Sequence, residues 1–256
     1  MSTRTTPAGV PAATVRADNA RIRMSSTADN FGDPTNRFGD LCAAFDALDL
    51  PMPATLADEL AELGDLAVRL DTLTATEPAF TLDDLRADDH AERFTRSTLA
   101  GLVATHGAKY AAQVLAVLDG TRRQAIRRHA PELLAILGDL YADRAADFWQ
   151  ADDPTITGAE RDRRQHLETH LGRAVATCWN LTGPAGLRYP SAEVHAWFHF
   201  TPQAWDRYIH EGMPGAQPRG NVYTFATHCG AQPRLVASRR DADAEAAGHH
   251  DRRRGY

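Results

Sequence analysis

The stretch LADELAELGDLAVRL, residues 56–70, repeats apolar residues at an alternating spacing of four and three. This spacing is typical of the a and d positions of a heptad and predicts a helix with one apolar face. The stretch IRRHAPELLAILGDL, residues 126–140, has the same spacing. Its Pro131 predicts a break or kink at Ala130, with the proline in the first turn of the next helix. Each seam covers only about two heptads, so an antiparallel pair inside one chain is favoured over an oligomerising coiled coil.

Further amphipathic helices are predicted on both sides of these stretches. Apolar residues recur at helical spacing from Phe38 until Pro51 stops the helix. An alanine-rich helix is predicted from about residue 90 to Gly120, and a last long helix at about residues 157–181. The connections are short and polar, as in helical bundles. Residues 38–183 are therefore predicted to form a bundle of about five helices, and the fold class is mainly α.

The composition becomes aromatic and β-branched in SAEVHAWFHF, residues 191–200. Apolar residues there alternate with His195, Trp197 and His199, which is the period of a half-buried strand. These three side chains are expected on the outer face of the strand, where a partner would contact them. An exposed tryptophan beside polar residues is typical of an interface. The alternative, that Trp197 covers the bundle, is slightly favoured.

The rest of the C-terminal region predicts one short helix and two further strands. Thr201 and Pro202 are typical of a helix start, and Gly212 is typical of its end. The runs NVYTFATHC and RLVAS are rich in β-forming residues and flank the turn-like GAQP. Residues 191–238 are therefore expected to form a small β-α-β-β module. It should pack on the bundle after a domain boundary near residues 183–190.

The two termini lack a pattern that would form a core. Residues 1–37 are rich in Thr, Ala, Pro, Gly, Asn and Asp, and residues 239–256 are charged and rich in Ala and Gly. Such compositions bury too little apolar surface to offset the entropy of ordering. We therefore expect a flexible arm at the N-terminus and a flexible tail at the C-terminus.

The composition favours a cytoplasmic protein without a membrane contact. The three cysteines are odd in number and form no CxxC pair, which is typical of reduced thiols. The first residues show no apolar run of the kind found in a signal peptide, and no stretch is long and apolar enough for a membrane span. Lys109 is the only lysine beside many arginines, which indicates a GC-rich, bacterial genome.

The histidines do not predict a metal site. On a strand, His195 and His199 would be about 13 Å apart at roughly 3.3 Å per residue, too far for two ligands of one zinc ion. His166 and His170 are one helical turn apart in HLETH, but no third ligand stands nearby. The cysteine after His228 is more typical of a small core residue than of a nucleophile. We therefore expect no metal, no cofactor and no catalytic residue.

Two arginine clusters, RRQAIRR at 122–128 and RDRR at 161–164, are the main basic features. The net charge of -6 and the acidic neighbours favour solvated helix faces over a nucleic-acid contact. The function indicated is a non-catalytic helical interaction or assembly protein that binds a protein partner or self-associates through its heptad-like helices. The alternatives are a nucleic-acid-associated accessory factor and an enzyme with a site between the bundle and the C-terminal module. The interaction candidates are Leu60, Leu63, His195, Trp197 and His199.

Overall fold

The computed structural model describes residues 9–25, 38–74, 88–102, 107–151, 153–182, 191–212 and 219–254. Within these ranges the chain forms ten helices and two small antiparallel sheets of two strands each. The mainly α fold predicted from the sequence is therefore confirmed. In the same ranges, no helix combines the length and the apolar character needed to cross a membrane.

The elements are numbered here in chain order. The helices are α1 (Ala12–Ser25), α2 (Phe38–Ala47), α3 (Ala54–Thr74), α4 (His90–Leu102), α5 (Ala108–Trp149), α6 (Ala159–Thr182), α7 (Ala192–Trp197), α8 (Pro202–His210), α9 (Arg219–His228) and α10 (Arg239–Arg254). The strands are β1 (Gly9–Val10), β2 (Met52–Pro53), β3 (Phe198–His199) and β4 (Gln232–Pro233). Strand β1 pairs with β2, and β3 pairs with β4.

Helix α5 is the central element of the bundle. Helices α3 and α6 pack along it, α2 packs on α6, and α1 contacts α2 and α3. Most heptad-like positions of both stretches are buried in the core, including Leu56, Leu60 and Leu63 of α3. Glu59 of α3 pairs with Arg128 of α5 at 2.6 Å. In the described residues, the two stretches therefore belong to helices that pack inside one chain.

Helix α5 continues through both positions at which the sequence predicted an end or a break. The chain is helical at Gly120 and at Pro131, and the non-helical backbone angles within α5 are at Arg144, with φ -123° and ψ 16°. A proline inside a helix removes one backbone hydrogen bond and costs about 3 kcal/mol. Apolar residues on both sides of Pro131, such as Ile126 and Leu133, are fully buried. Tertiary packing therefore outweighs the local cost, and the predicted break is wrong.

The expected N-terminal arm contains an ordered helix, which corrects the prediction for residues 12–25. Helix α1 packs on α2 and α3, with Val15 and Ile22 buried. Its buried face also contains Asp18 and Asn19. These polar residues interrupt the apolar periodicity on which the sequence analysis depends. The remaining parts of the predicted arm, 1–8 and 26–37, lie outside the described residues.

The expected C-terminal tail is also helical in its described part. Helix α10 packs on α7 and buries Ala242, Ala246 and His249. These positions are spaced by four and three residues and therefore share one helix face. Alanine and histidine give a weak hydropathic signal, so the face was not recognised as buried in the sequence.

Short strands occur in the C-terminal region, but two of the predicted strands are largely helical. The third, RLVAS at 234–238, is not a strand, because β4 is formed by Gln232–Pro233 within the predicted GAQP turn. The SAEVHAWFHF stretch forms α7 and keeps only Phe198 and His199 as strand, and NVYTFATHC lies in α9. In the first stretch His195, Trp197 and Phe198 are all buried. The alternation therefore does not separate a buried face from an exposed face, and the period of two was misleading.

The predicted short helix after residue 201 is confirmed as α8. The Thr201 side chain accepts a hydrogen bond from the Ala204 backbone at 3.2 Å, and Pro202 occupies the first turn. Phe200 packs on Trp205 with 5.1 Å between ring centroids. Gly212 follows the helix with φ 94°, a conformation that glycine adopts without strain.

A buried polar network joins α1 to α5. Arg122 donates from Nε to Asp119 at 2.9 Å and from Nη1 to Asn19 at 3.0 Å. Arg123 pairs with the same carboxylate at 2.5 Å. The side chains of Arg122 and Asp119 are both buried, so the guanidinium depends on the carboxylate for neutralisation. Polar contacts thus fix α1 at a point where its apolar face is interrupted.

Replacing Asp119 with alanine should lower the free energy of unfolding by about 3–5 kcal/mol, because a buried guanidinium loses its carboxylate. Urea unfolding followed by circular dichroism measures this loss. The control is Arg128→Ala, which breaks the exposed pair with Glu59 and should cost less than about 1 kcal/mol. Equal losses in the two variants would show that the buried network has no special structural role.

Candidate functional site

The bundle and the C-terminal region meet at a cluster of aromatic rings. Trp197 of α7 stacks on Phe148 of α5, with centroids 4.9 Å apart and planes 26° apart. Tyr141 and Trp179 also approach the Trp197 ring, each at 5.2 Å between centroids, and Trp149 lies at 6.0 Å. All of these rings are buried. We call Trp197, Phe148, Tyr141, Trp149 and Trp179 the Trp197 cluster.

Hydrogen bonds satisfy two of the indoles in the Trp197 cluster. Trp149 Nε1 donates to the Tyr141 hydroxyl at 2.8 Å, and Trp179 Nε1 donates to the Val236 carbonyl at 3.0 Å. Burial raises the pKa of Tyr141, so its hydroxyl stays neutral. Buried indoles with partners are typical of a structural core. Trp197 therefore packs on the bundle in the described structure and is not an exposed anchor.

A second buried cluster lies on the other side of α7, against α10. The His195 ring stacks on His249 of α10 with centroids 5.1 Å apart and planes 9° apart. Trp205 and Phe200 contact the same imidazole at 4.4 Å and 5.3 Å. His195 is fully buried. We call His195, His249, Trp205 and Phe200 the His195 cluster.

The surroundings of His195 disfavour its charged form. Among the described residues, neither of its ring nitrogens has a hydrogen-bond partner, and Glu245 Oε2 lies 4.0 Å from Nδ1. Burial, followed by the positive charges of His249, His199 and Arg234, lowers the pKa of His195 to about 3. His195 is therefore neutral at physiological pH.

His199 follows α7 and is half-buried. The spacing of about 13 Å expected from a strand does not apply, because His195 is helical and His199 is in β3. The two residues are near enough for His199 to influence the pKa of His195. Even so, the described ranges contain no group of three His, Cys, Asp or Glu side chains that could bind a metal ion.

The sequence-derived interaction candidates are mostly core residues. Leu60 and Leu63 are buried in α3, and His195 and Trp197 are buried in α7. Only His199 among the five is partly exposed. In the described chain, the other four side chains contribute to packing within one molecule.

The second histidine pair links α2 to α6. His166 Nε2 donates to the Ala47 carbonyl at 2.9 Å, and the His166 and His170 rings lie 4.4 Å apart. Burial, followed by the charge of His166, lowers the pKa of His170. The arrangement stabilises a helix contact and presents no third ligand within the described residues.

The three cysteines are buried and unpaired by disulfides. Burial raises the pKa of Cys42 to about 12 and also raises the pKa values of Cys178 and Cys229. His228 is exposed and faces Glu211 at 3.5 Å. None of these thiols has the lowered pKa and the access that a nucleophile requires.

The arginine clusters are largely engaged with carboxylates. Arg122 and Arg123 share Asp119, and Arg128 pairs with Glu59. Arg163 and Arg164 both pair with Glu160, at 2.6 Å and 2.7 Å. Arg122 is buried, which differs from the solvated face expected from the sequence. These pairs leave less positive charge for phosphate groups than the sequence clusters indicate.

A cleft of about 350 Å³ opens beside the Trp197 cluster, between α6 and α7. Trp179 and Trp197 belong to its lining, together with Glu168, Arg173 and Glu193. The Arg239 guanidinium lies over the Trp179 ring at 5.9 Å. The cleft therefore combines aromatic and charged groups at the junction of the bundle and the C-terminal region.

Four exposed apolar side chains lie on α3 and α5 and were not among the residues predicted from the sequence. We call Leu66, Val68, Val114 and Val117 the apolar end. Val117 is 68% exposed. The signal in the sequence is YAAQVLAVL, residues 110–118, which contains no charged residue.

Comparison of the chain with protein-family models, with curated proteins and with solved structures finds no match.

Replacing Trp197 with alanine should lower the free energy of unfolding by about 3–5 kcal/mol, because it leaves a cavity among four aromatic rings. Chemical denaturation measures the change. Trp197→Phe is the matched variant and should lose less, because a phenyl ring can still stack on Phe148. Unchanged stability in Trp197→Ala would contradict the central packing role of this residue.

The cysteine thiols should resist modification in the folded protein. At about pH 8, a disulfide reagent such as DTNB should react with none of them within minutes, because burial keeps them protonated and inaccessible. All three thiols should react in denaturant, which provides the internal control. Rapid release of chromophore from the native protein would reveal an accessible thiol and reopen the question of a nucleophile.

Proposed function

We propose that the chain is a non-catalytic helical interaction protein that self-associates through the apolar end. The observation that supports this proposal is the exposure of Leu66, Val68, Val114 and Val117 on two helices that pack together. Exposed apolar side chains grouped on one region are typical of protein contact sites.

The four side chains lie toward the same end of the bundle. Glu59 of α3 contacts Arg128 of α5. Gly64, one turn later in α3, lies against Asp18 of α1. The next residue of α1, Asn19, binds Arg122, which lies earlier in α5 than Arg128. Later residues of α3 therefore lie beside earlier residues of α5, which is an antiparallel arrangement. Leu66 and Val68 are thus closer along the bundle to Val114 and Val117 than Glu59 is.

Charge favours contact between two copies at this position. The chain has a net charge of -6, so two copies repel each other overall. Residues 110–118 contain no charged side chain, and Val114 and Val117 are three residues apart on one helix face. Contact there removes apolar area from water without placing like charges together.

The burial of the histidine and cysteine side chains that could act as catalysts is consistent with an interaction role. His195 and the three cysteines are covered by protein, so a substrate does not reach them in the described structure. The free thiols also support our proposal of a cytoplasmic, reducing location, and the arginine-rich composition supports a bacterial origin. The pairing of the arginine clusters with carboxylates supports a protein partner over a nucleic acid.

The cleft between α6 and α7, beside the Trp197 cluster, favours a second candidate function: an enzyme or a binding protein for a small molecule. Its indole rings and its carboxylate and guanidinium groups suit a small zwitterionic compound with an apolar part. Acrylamide quenches tryptophan fluorescence. A compound of this kind that reduces the quenching would support this second candidate.

Light scattering after size exclusion tests the self-association proposal. The unaltered protein should be dimeric or larger at micromolar concentration and should dissociate on dilution. The double variant Val114→Glu/Val117→Glu should be monomeric and equally helical, because two charges oppose contact of the apolar faces.

The matched control is Gln124→Glu, which adds a charge at an exposed position further along α5. This variant should keep the subunit number of the unaltered protein. A monomer at every concentration of the unaltered protein would overturn self-association. An oligomer that persists in the double variant would place the contact elsewhere.

A further inference from the structure

In the part of helix α10 whose side chains are described, few apolar groups attach it to the molecule. The buried residues there are Ala242, Ala246 and His249, and several of the others are charged. Its main packing partner is α7. Alanine contributes little apolar area. His249 is therefore the largest buried side chain in the described part of α10.

His249 packs between two rings of the C-terminal region. It lies parallel to His195 with 5.1 Å between centroids, and it contacts Trp205 at 5.4 Å. A parallel stack of two imidazoles at this distance is compatible with neutral rings, whereas two imidazolium ions would repel each other strongly in a buried place.

The charged and titratable groups around His195 come from three segments. His249 and Glu245 face it from α10, His199 from β3, and Arg234 from the segment after β4. Glu245 is the carboxylate at 4.0 Å that would attract a protonated His195. Arg234 already pairs with Glu245 and offsets that attraction. Protonation of His195 therefore receives little compensation while α10 is docked.

We propose that the stacked pair of His195 and His249 is an acid-sensitive contact, and that acidification below about pH 6 releases helix α10 from α7. Release exposes the buried His195 and Trp205 to water. This inference is independent of the apolar end, which lies on α3 and α5.

The direction of the effect follows from proton linkage. In the docked state the pKa of His195 is lowered to about 3, whereas an exposed histidine has a pKa of about 6.5. The undocked state therefore takes up the proton first. Docking keeps its full stability above about pH 6.5 and loses it as the pH falls toward 3. At about pH 5, one such histidine shifts the docking equilibrium about 30-fold toward release.

Hydrogen exchange of the full chain, read by mass spectrometry, tests the proposal. The rates are corrected for the intrinsic pH dependence of exchange. Between about pH 7.5 and about pH 5, protection of α10 should fall about 30-fold more than protection of α6. Equal changes in α10 and α6 would overturn the proposal.

The decisive variant is His195→Leu, which replaces the imidazole with an apolar side chain that cannot titrate. Its α10 should be protected at about pH 7.5 and should keep that protection at about pH 5, within about threefold. His210→Leu is the control, because His210 is exposed on α8, and it should respond to acid as the unaltered protein does. A full acid response in His195→Leu would overturn the proposal.

An NMR titration of the unaltered protein gives a second readout that does not depend on the variant folding. The His195 imidazole signals should stay those of the neutral form for as long as α10 is protected, and they should change together with its release. A His195 signal that titrates near pH 6.5 while α10 remains protected would contradict the proposal.

Discussion

The stack of Trp197 on Phe148 is the contact on which the C-terminal region of the structure depends. A buried aromatic side chain removes about 150–250 Å² from water, and the Trp197 cluster joins α5, α6 and α7 through five such rings. The segment after β4 is fixed to the same cluster, because Val236 accepts the indole hydrogen bond of Trp179. By contrast, α10 buries only two alanines and one histidine in its described part. Its position therefore depends on α7, and α7 depends on Trp197.

Helix α7 has different chemistry on its two sides. Trp197 faces the bundle, where polar edges are hydrogen-bonded, whereas His195 faces α10 without a hydrogen-bond partner for either nitrogen in the described residues. The packing of Trp197 on the bundle does not depend on pH near neutrality. The packing of His195 on α10 loses stability as the pH falls. Nearer the other end of α5, Asp119 and Arg122 position α1 through an ion pair and a hydrogen bond to Asn19. Stability is thus distributed unevenly along the molecule.

The sequence predicted those elements in which apolar residues recur at one regular spacing. The seams of α3 and α5 and the cap of α8 at Thr201 were recognisable because burial matched the spacing of apolar residues. Helices α1 and α10 were missed because Asn19 and His249 are buried polar residues with distant partners, namely Arg122 and His195. The strand predicted for residues 191–200 was wrong because both alternating faces are buried. The Trp197 and His195 clusters join residues far apart in sequence, and linear spacing contains no information about such contacts.

The sequence also predicted a domain boundary near residues 183–190, which lie outside the described residues. If the Trp197 cluster joins the two parts into one core, urea should unfold the full chain in a single transition. Circular dichroism, which reports mainly on the long helices, and tryptophan fluorescence, which reports mainly on the cluster, should give the same midpoint. Loss of the fluorescence signal well before the helical signal would show that the C-terminal region unfolds independently, and would contradict a shared core.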